Sequence, residues 1–260
     1  MTEWQKVFDE ERICVIVPTY NNEKTIVDVL RRIQAYTHNI IVVNDGSTPE
    51  TMETLTAAFD ASELPEIVDY TPNKGKGSAL MRGFRRALEL GYRHAVTIDS
   101  DGQHFPEDIP AIMDCHSANK GALVVGSRNL TADNMPSKNT FANKFSNFWF
   151  RLQTGIPLED TQSGYRLYPL EAINLRWPIT PRYEAELELL VFSAWRGVPV
   201  VSVPVRVYYP PEGERVSHFR PFWDFFRISV LNSILTFGAL FYYLPVRLWR
   251  RLFGKVRIKK

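Results

Sequence analysis

The residues best equipped for chemistry are two aspartates one residue apart, Asp99 and Asp101, with a carboxamide at Gln103, in the stretch TIDSDGQHFPED. The apolar run before them, Ala95 to Ile98, reads as a buried strand. Pro106 and then Glu107, Asp108, Ile109, Ile112 and Met113 read as the opening of an amphipathic helix. The pair is therefore expected at the carboxyl end of a strand, in the turn before a helix. Residues i and i+2 of an extended chain point the same way. The two carboxylates then share a face and repel, unless a cation sits between them or one takes up a proton. Oxygen ligands of this kind favour Mg2+ or Mn2+, which commonly bridge protein carboxylates to substrate phosphates. Spacing alone also suits plain turn and cap residues.

Other chemistries lack their residues. NKGKGSAL (Asn73 to Leu80) has neither the order of a P-loop nor the third glycine of a dinucleotide fingerprint. DSDGQH departs from a calcium loop of the EF-hand type, with His104 at its sixth position and Pro110 at its twelfth. The five histidines are scattered and none has a ligand-like partner at i+4, so a zinc site is not expected. No G-x-S-x-G elbow occurs, which argues against a serine hydrolase.

The elements that must position the aspartates follow from periodicity. ICVIV (Ile13 to Val17), NIIVV (Asn39 to Val43), EIVDY (Glu66 to Tyr70), HAVTI (His94 to Ile98) and ALVVG (Ala122 to Gly126) read as strands. Helices fall between them, one carrying Ile26, Val29, Leu30 and Ile33, another Leu80, Phe84, Ala87 and Leu88. This alternation predicts an α/β fold with a mostly parallel sheet, whose ligands bind at the carboxyl ends of the strands. Three polar clusters lie there: PTYNNE, NDGS and DSDGQ. Farther on, Phe141, Phe145, Phe148, Trp149 and Leu152 mark an aromatic helix. Leu187, Leu190, Val191 and Ala194 mark another, whose Glu184, Glu186 and Glu188 read as a solvated face. VPVVSVPVRVYY (Val198 to Tyr209), with two prolines, reads as an edge strand.

The 260 residues suffice for a full core, and a net charge of +2 does not point to nucleic acid. Cys14 and Cys115 make no disulfide framework, and the polar N-terminus does not read as a signal peptide, so a cytoplasmic catalytic part is expected. The tail differs in kind. Ile228 to Val246 carries no charge, and is followed by Arg247, Arg250, Arg251, Lys255, Arg257, Lys259 and Lys260 with no acid among them. A single crossing from the cytoplasm would place those cations outside, against the positive-inside tendency. An amphipathic helix or shallow hairpin in the inner interface removes the conflict. The expected division is a catalytic domain over 1–218 and a membrane-associating helical tail over 219–260, on the cytoplasmic face of the membrane, peripheral or monotopic.

In order and spacing, VIVPTYNNEKTI, IIVVNDGSTPET, NKGKGSALMRGF and DSDGQH resemble the family 2 glycosyltransferases, most of all their dolichol-phosphate mannosyltransferase-like branch, from about Ile13 to Ser217. The resemblance implies a nucleotide-diphosphosugar-binding (GT-A-like) fold and metal-dependent, inverting transfer of a sugar from a GDP- or UDP-sugar. It implies donor-site roles for Pro18, Tyr20, Glu23, Asp45, Lys76, Asp99 and Asp101, and a Mg2+ or Mn2+ site at Asp99, Asp101 and Gln103. The family often has a second acid where this chain has Asn44. LVVGSRN and EDTQSGYRLY also match, which implies Arg128 and Arg166 as phosphate partners, through a planar fork suited to bidentate contact. Ser163, and Arg215 and Ser217 in GERVSHFR, are implied at the acceptor; the branch often has lysine where this chain has His218.

The acceptor decides the role of Asp160. A hydroxyl must lose a proton as it attacks and needs a general base, for which Asp160 is the candidate. A polyprenyl phosphate is already an anion and leaves Asp160 a structural part. The resemblance implies transfer of a hexose to a membrane lipid phosphate. The alternatives are transfer to a hydroxyl of a glycolipid or polysaccharide precursor, and a non-catalytic nucleotide-sugar-binding module. The polysaccharide-synthase motif Q-x-x-R-W is absent, INLRW (Ile173 to Trp177) being the nearest approach.

Overall fold

The computed structural model describes residues 2–128, 137–173, 180–209 and 221–253. Seven strands, β1 (Ile13–Thr19), β2 (Ile40–Asp45), β3 (Glu66–Tyr70), β4 (His94–Thr97), β5 (Leu123–Arg128), β6 (Arg166–Pro169) and β7 (Val200–Val205), form one sheet in the order β3-β2-β1-β4-β6-β5-β7. β6 runs antiparallel to both neighbours, and every other pairing is parallel. The five strands expected in the first half all form, and the proline-bearing late strand lies at an edge. β6 went unforeseen because RLYP opens on an arginine and ends on a proline, so neither an apolar run nor an alternation marks it.

Central strands of such a sheet are covered on both faces and read as continuous apolar runs. All seven residues of β1 are buried. Ile13, Val15 and Val17 share a core with α1 (Glu3–Glu10), α2 (Ile26–Gln34), α3 (Pro49–Ala58) and α5 (Ile109–Ala118). Cys14 and Ile16 point to the other face, beneath α4 (Lys76–Glu89) and α7 (Glu184–Trp195). The expected apolar face of α7 is buried as read, but its acids correct the expectation of a solvated face. Glu184, Glu186 and Glu188 are only 2%, 6% and 5% exposed, because α7 is covered all round.

On α6 (Ser137–Thr154) the buried face is largely polar, with Asn143, Ser146, Gln153 and Thr154 around Phe150, while Phe148 and Leu152 are exposed. Its polar residues meet partners on neighbouring segments. Gln153 Nε2 donates to Asn232 and Thr236 of the tail, and the Arg247 guanidinium donates to the Thr154 carbonyl.

The tail is one helical run rather than a hairpin over its described residues: α8 (Pro221–Gly238), a π-helical turn (Ala239–Tyr243) and α9 (Leu244–Phe253). Pro245 has no N–H to continue the ladder, and the widened turn directly before it accommodates the missing bond. Leu231, Leu235 and Ala239 pack on the domain, Tyr243 stacks on Trp195 at 5.5 Å, and Arg227 pairs with Glu184 at 3.0 Å. Ile234, Phe237, Phe241, Tyr242 and Trp249 face outward. Phe226–Trp249 is long and apolar enough to cross a membrane. The cations from Lys255 onward lie outside the described residues.

Beneath the opposite end of β4, His94 and His116 meet edge to face at 4.6 Å. His116 has no solvent exposure and neither ring nitrogen has a hydrogen-bond partner. Burial, then the neighbouring His94, pushes its pKa down to about 4; His94 is lowered by burial as well. Glu11, which faces both rings and is paired to Lys120, does not reverse either shift. Groups that charge more readily when unfolded withdraw stability as pH falls through their unfolded pKa. Between about pH 6.5 and 4, His116 alone is expected to remove about 3 kcal/mol. Urea titrations at pH 7.5 and 4.5 test this, with His116→Leu expected to flatten the slope; an unchanged slope in that variant would assign the acid lability elsewhere.

Candidate active site

The carboxyl ends of β1, β2 and β4 lie side by side, and the loops that leave them are stitched together by short side chains. Ser100, between the two aspartates, is 1% exposed. Its hydroxyl donates to the Pro18 carbonyl at 2.9 Å and accepts from Asn22 Nδ2 at 2.8 Å, while Thr25 Oγ1 donates to the Ser100 carbonyl at 2.6 Å. The loop after β1 therefore holds the Asp99–Asp101 turn in place. Pro18 is buried in β1, and half-buried Tyr20 and then Glu23 follow it in the loop. A cavity of about 510 Å3 opens there, bounded by Glu23, Asp28, Arg32, Asp101, Gln103 and Tyr208. Three of the expected donor-site residues, Glu23, Asp101 and Gln103, are thus brought together.

The two aspartates have different surroundings. Lys76, the first residue of α4, places Nζ 2.8 Å from Asp99 Oδ1 and 2.9 Å from Oδ2, and 3.1 Å from Glu186 Oε2. Desolvation works to raise the Asp99 pKa, but the Lys76 ammonium outweighs it and holds the carboxyl below its ordinary value. Asp101 has no such partner among the described residues; its Oδ1 accepts the Gln103 amide at 3.0 Å. Burial, then the charge of Asp99, pushes it up to about 6. Both remedies for like-charge crowding are therefore at work, a cation on one carboxylate and a ready proton on the other.

Among the described residues, no group of three or more His, Cys, Asp or Glu side chains is arranged to hold a metal. Asp101 with Gln103 does fit an ion whose remaining ligands are water and phosphate, the usual environment of Mg2+ at a nucleotide.

Two glycines bring this cluster together. A Cβ on Gly77 would lie 2.4 Å from Ala185 Cβ, so α4 and α7 approach as closely as they do only without it. A Cβ on Gly164 would lie 2.7 Å from Lys76 Nζ and 3.0 Å from both Asp99 Oδ2 and Glu186 Oε1. Sequence reasoning set Glu186 on a solvated face in preference to an acid near the acceptor, and gave His104 no role. His104 is 5% exposed, packs against Tyr165 with the rings tilted by 56°, and is lowered to about 4 by burial. No periodicity marks either residue, since their burial depends on distant segments.

Asp45 is 3% exposed and anchors a loop: Oδ1 accepts the Lys74 amide at 2.7 Å, and Oδ2 accepts Gly75 N and Asn73 Nδ2. Asn44, where the family often has an acid, donates to Asp69 Oδ1 at 2.8 Å; an acid there would face Asp69 with like charge.

Asp160 has no solvent exposure and accepts six hydrogen bonds. They come from Nε, the terminal Nη2 and the backbone amide of Arg128, from Asn143 Nδ2 at 2.6 Å, and from the amides of Gln162 and Ser163. Burial would raise its pKa, but these donors, Arg128 foremost, hold it below the usual value.

Three expectations need correction here. Arg128 grips Asp160 in bidentate fashion, with Nε at 2.6 Å, instead of presenting that fork to phosphate. Arg166 is fully buried, donating to the Ser163, Thr161 and Glu186 carbonyls and to Tyr168 Oη, so a phosphate contact does not fit. Ser163, expected at the acceptor, is also fully buried and its hydroxyl accepts the Tyr165 amide. Arg215 and Ser217 lie outside the described residues.

Gly77→Ala is expected to lower stability by about 1–3 kcal/mol through overpacking, because its Cβ would meet the Thr180 and Arg182 carbonyls as well as Ala185. A lower urea midpoint with an unchanged m-value would show it. A wild-type midpoint would mean that α4 and α7 part by the width of a methyl group without cost.

The comparisons agree with this geometry. A UDP-N-acetylglucosamine–dolichyl-phosphate N-acetylglucosaminyltransferase of Methanococcus voltae is 30% identical over 218 residues, covering 77% of this chain and 87% of its own. A polyprenol monophosphomannose synthase of Mycolicibacterium smegmatis is 30% identical over 205 residues, covering 75% and 77%. Among solved structures, glucosyl-3-phosphoglycerate synthase of Mycobacterium tuberculosis, in complex with Mn2+, UDP and glucosyl-3-phosphoglycerate, shares the fold with a TM-score of 0.64 at 21% identity, over 91% of this chain and 82% of that one. The model of glycosyl transferase family 2 matches residues 14–173. The chain belongs to glycosyltransferase family 2, with relatives in its polyprenyl-phosphate branch.

Proposed function

We propose that the protein transfers a hexose from a GDP- or UDP-sugar to a polyprenyl-phosphate-like membrane lipid, with inversion at the sugar carbon and with Mg2+ or Mn2+ at the donor. The observation that carries the choice of acceptor is the saturation of Asp160. A general base must be able to receive a proton at its working pH. Asp160 accepts six hydrogen bonds, is closed to solvent and is held below the ordinary carboxylate range. It is poorly suited to deprotonate an alcohol. A phosphate monoester arrives already ionised and needs only positioning. The names of the relatives, which include an undecaprenyl-phosphate mannosyltransferase of Micrococcus luteus, support the same acceptor class.

In this reading Asp99, Asp101 and Gln103 hold the metal when the donor is bound, and Pro18, Tyr20 and Glu23 border the nucleoside. A bound metal would act as Lewis acid and template, offsetting charge on the departing diphosphate. Asp45 keeps the 73–75 loop, and with it the start of α4, against the donor.

Residues 1–218 form the catalytic unit and 219–260 the membrane-associating part. Helix α8 is fastened along the domain by Leu231, Leu235 and the Gln153–Asn232–Thr236 contacts, with Phe237 and Phe241 outward. A perpendicular crossing would drag the polar flank of α6 and α7 into hydrocarbon. This supports a helix lying in the plane of the cytoplasmic leaflet.

Incubating the purified chain with Mn2+ and a panel of GDP- and UDP-sugars tests the acceptor. Product is expected with polyprenyl phosphate and not with the matching polyprenol; product from the alcohol alone would overturn the reading. Asp160→Asn is expected to melt earlier, since Arg128 loses a buried partner worth about 3–5 kcal/mol. The fraction that remains folded should keep kcat within about tenfold. A loss of about 100-fold or more at unchanged Tm would favour the base role and a hydroxyl acceptor. Phe237→Asp with Phe241→Asp should abolish flotation with anionic vesicles; undiminished flotation would remove the in-plane helix as the anchor.

A further inference from the structure

Lys76 carries a consequence for how the metal loads. An ammonium has three N–H donors, and three carboxylate oxygens lie within reach of this one: both oxygens of Asp99 and Oε2 of Glu186. The ammonium is thus held by two carboxylates at once. The side chain is 16% exposed and Glu186 only 8%. A Cβ on Gly164 would press on all three side chains. The second carboxylate oxygen of Glu186, Oε1, is buried without a hydrogen-bond partner among the described residues, and one ammonium faces two carboxylates. Asp101 lines the cavity and has no ion pair among the described residues.

A divalent ion that reaches the aspartate pair alone meets Asp101 and, on Asp99, an ammonium already seated. A nucleoside diphosphate changes the balance. Its oxygens supply ligands to the ion, and their charge competes with Asp99 for the ammonium at the N-terminus of α4, where anions are favoured. We propose that Lys76 is an internal counter-ion that withholds Asp99 from the metal until the donor diphosphate draws the ammonium away, so that the cation loads together with the donor rather than before it. This inference rests on the metal-bearing donor site proposed above.

The test is Mn2+ binding to the full metal-stripped chain in detergent, followed by electron paramagnetic resonance with and without UDP or GDP. Thermal melts report folding. Wild-type affinity should rise at least tenfold when the preferred nucleotide is added. Lys76→Met should bind Mn2+ at least tenfold more tightly than wild type without nucleotide, and gain correspondingly less than wild type from adding it, since only the nucleotide's own ligands then contribute. Asp99→Asn serves as a second variant and decides the matter if Lys76→Met does not fold. Its nucleotide-free affinity should stay within threefold of wild type, while its affinity in the presence of nucleotide falls at least tenfold. Equal losses in Asp99→Asn under both conditions would make Asp99 a standing metal ligand and overturn the proposal. So would a Lys76→Met protein no tighter than wild type. Absence of Mn2+ binding in every mixture would instead sink the metal site itself.

Discussion

Asp160 carries a charge in a place without solvent, and much of the second half of the chain is arranged to meet that demand. An isolated buried carboxylate costs several kcal/mol and persists only where donors surround it. Here the donors come from the end of β5, from α6 and from the turn at 162–163. Arg166 answers the same turn from the other side, joining the Thr161 and Ser163 carbonyls to the backbone of Glu186. Because Arg166 pairs in register with Thr97 of β4, the antiparallel strand delivers this charged turn next to the Asp99–Asp101 loop. Two charges that read as contacts for substrate thus define the shape of the floor beneath it.

Around that floor the remaining charges sort by exposure. Asp99 is held by an ammonium, Asp101 faces the cavity, and Asp45 is occupied by backbone amides. The differing roles of three aspartates at two strand ends follow from what each can hydrogen-bond, not from sequence context.

The first half of the fold was legible because its signals are local. Ile26, Val29, Leu30 and Ile33 recur at helical spacing and are all fully buried, and β1 is apolar throughout because it is covered on both faces. The polar clusters at the strand ends could be placed for the same reason. What sequence did not carry was partnership over distance. Glu184, Glu186 and Glu188 read as solvent-facing because nothing near them in the chain shows that α4, α6 and α8 close over α7. Arg128 and Arg166 have the right chemistry for phosphate, and only the tertiary structure reveals Asp160 and the carbonyls that occupy them. The tail shows the same limit: its apolar length was plain, yet Gln153, the residue that fastens it, lies about 80 positions earlier.

The lengthwise attachment of α8 to the catalytic body has a kinetic meaning. A body fixed to a leaflet through such a helix meets an acceptor dissolved in that leaflet by diffusion in two dimensions. What governs encounter is then the number of acceptor molecules per unit of membrane area. Diluting the vesicles leaves that number unchanged, whereas diluting the acceptor among other lipids lowers it. For a chain held this way, saturation is a property of lipid composition, and only the nucleotide sugar is counted per litre.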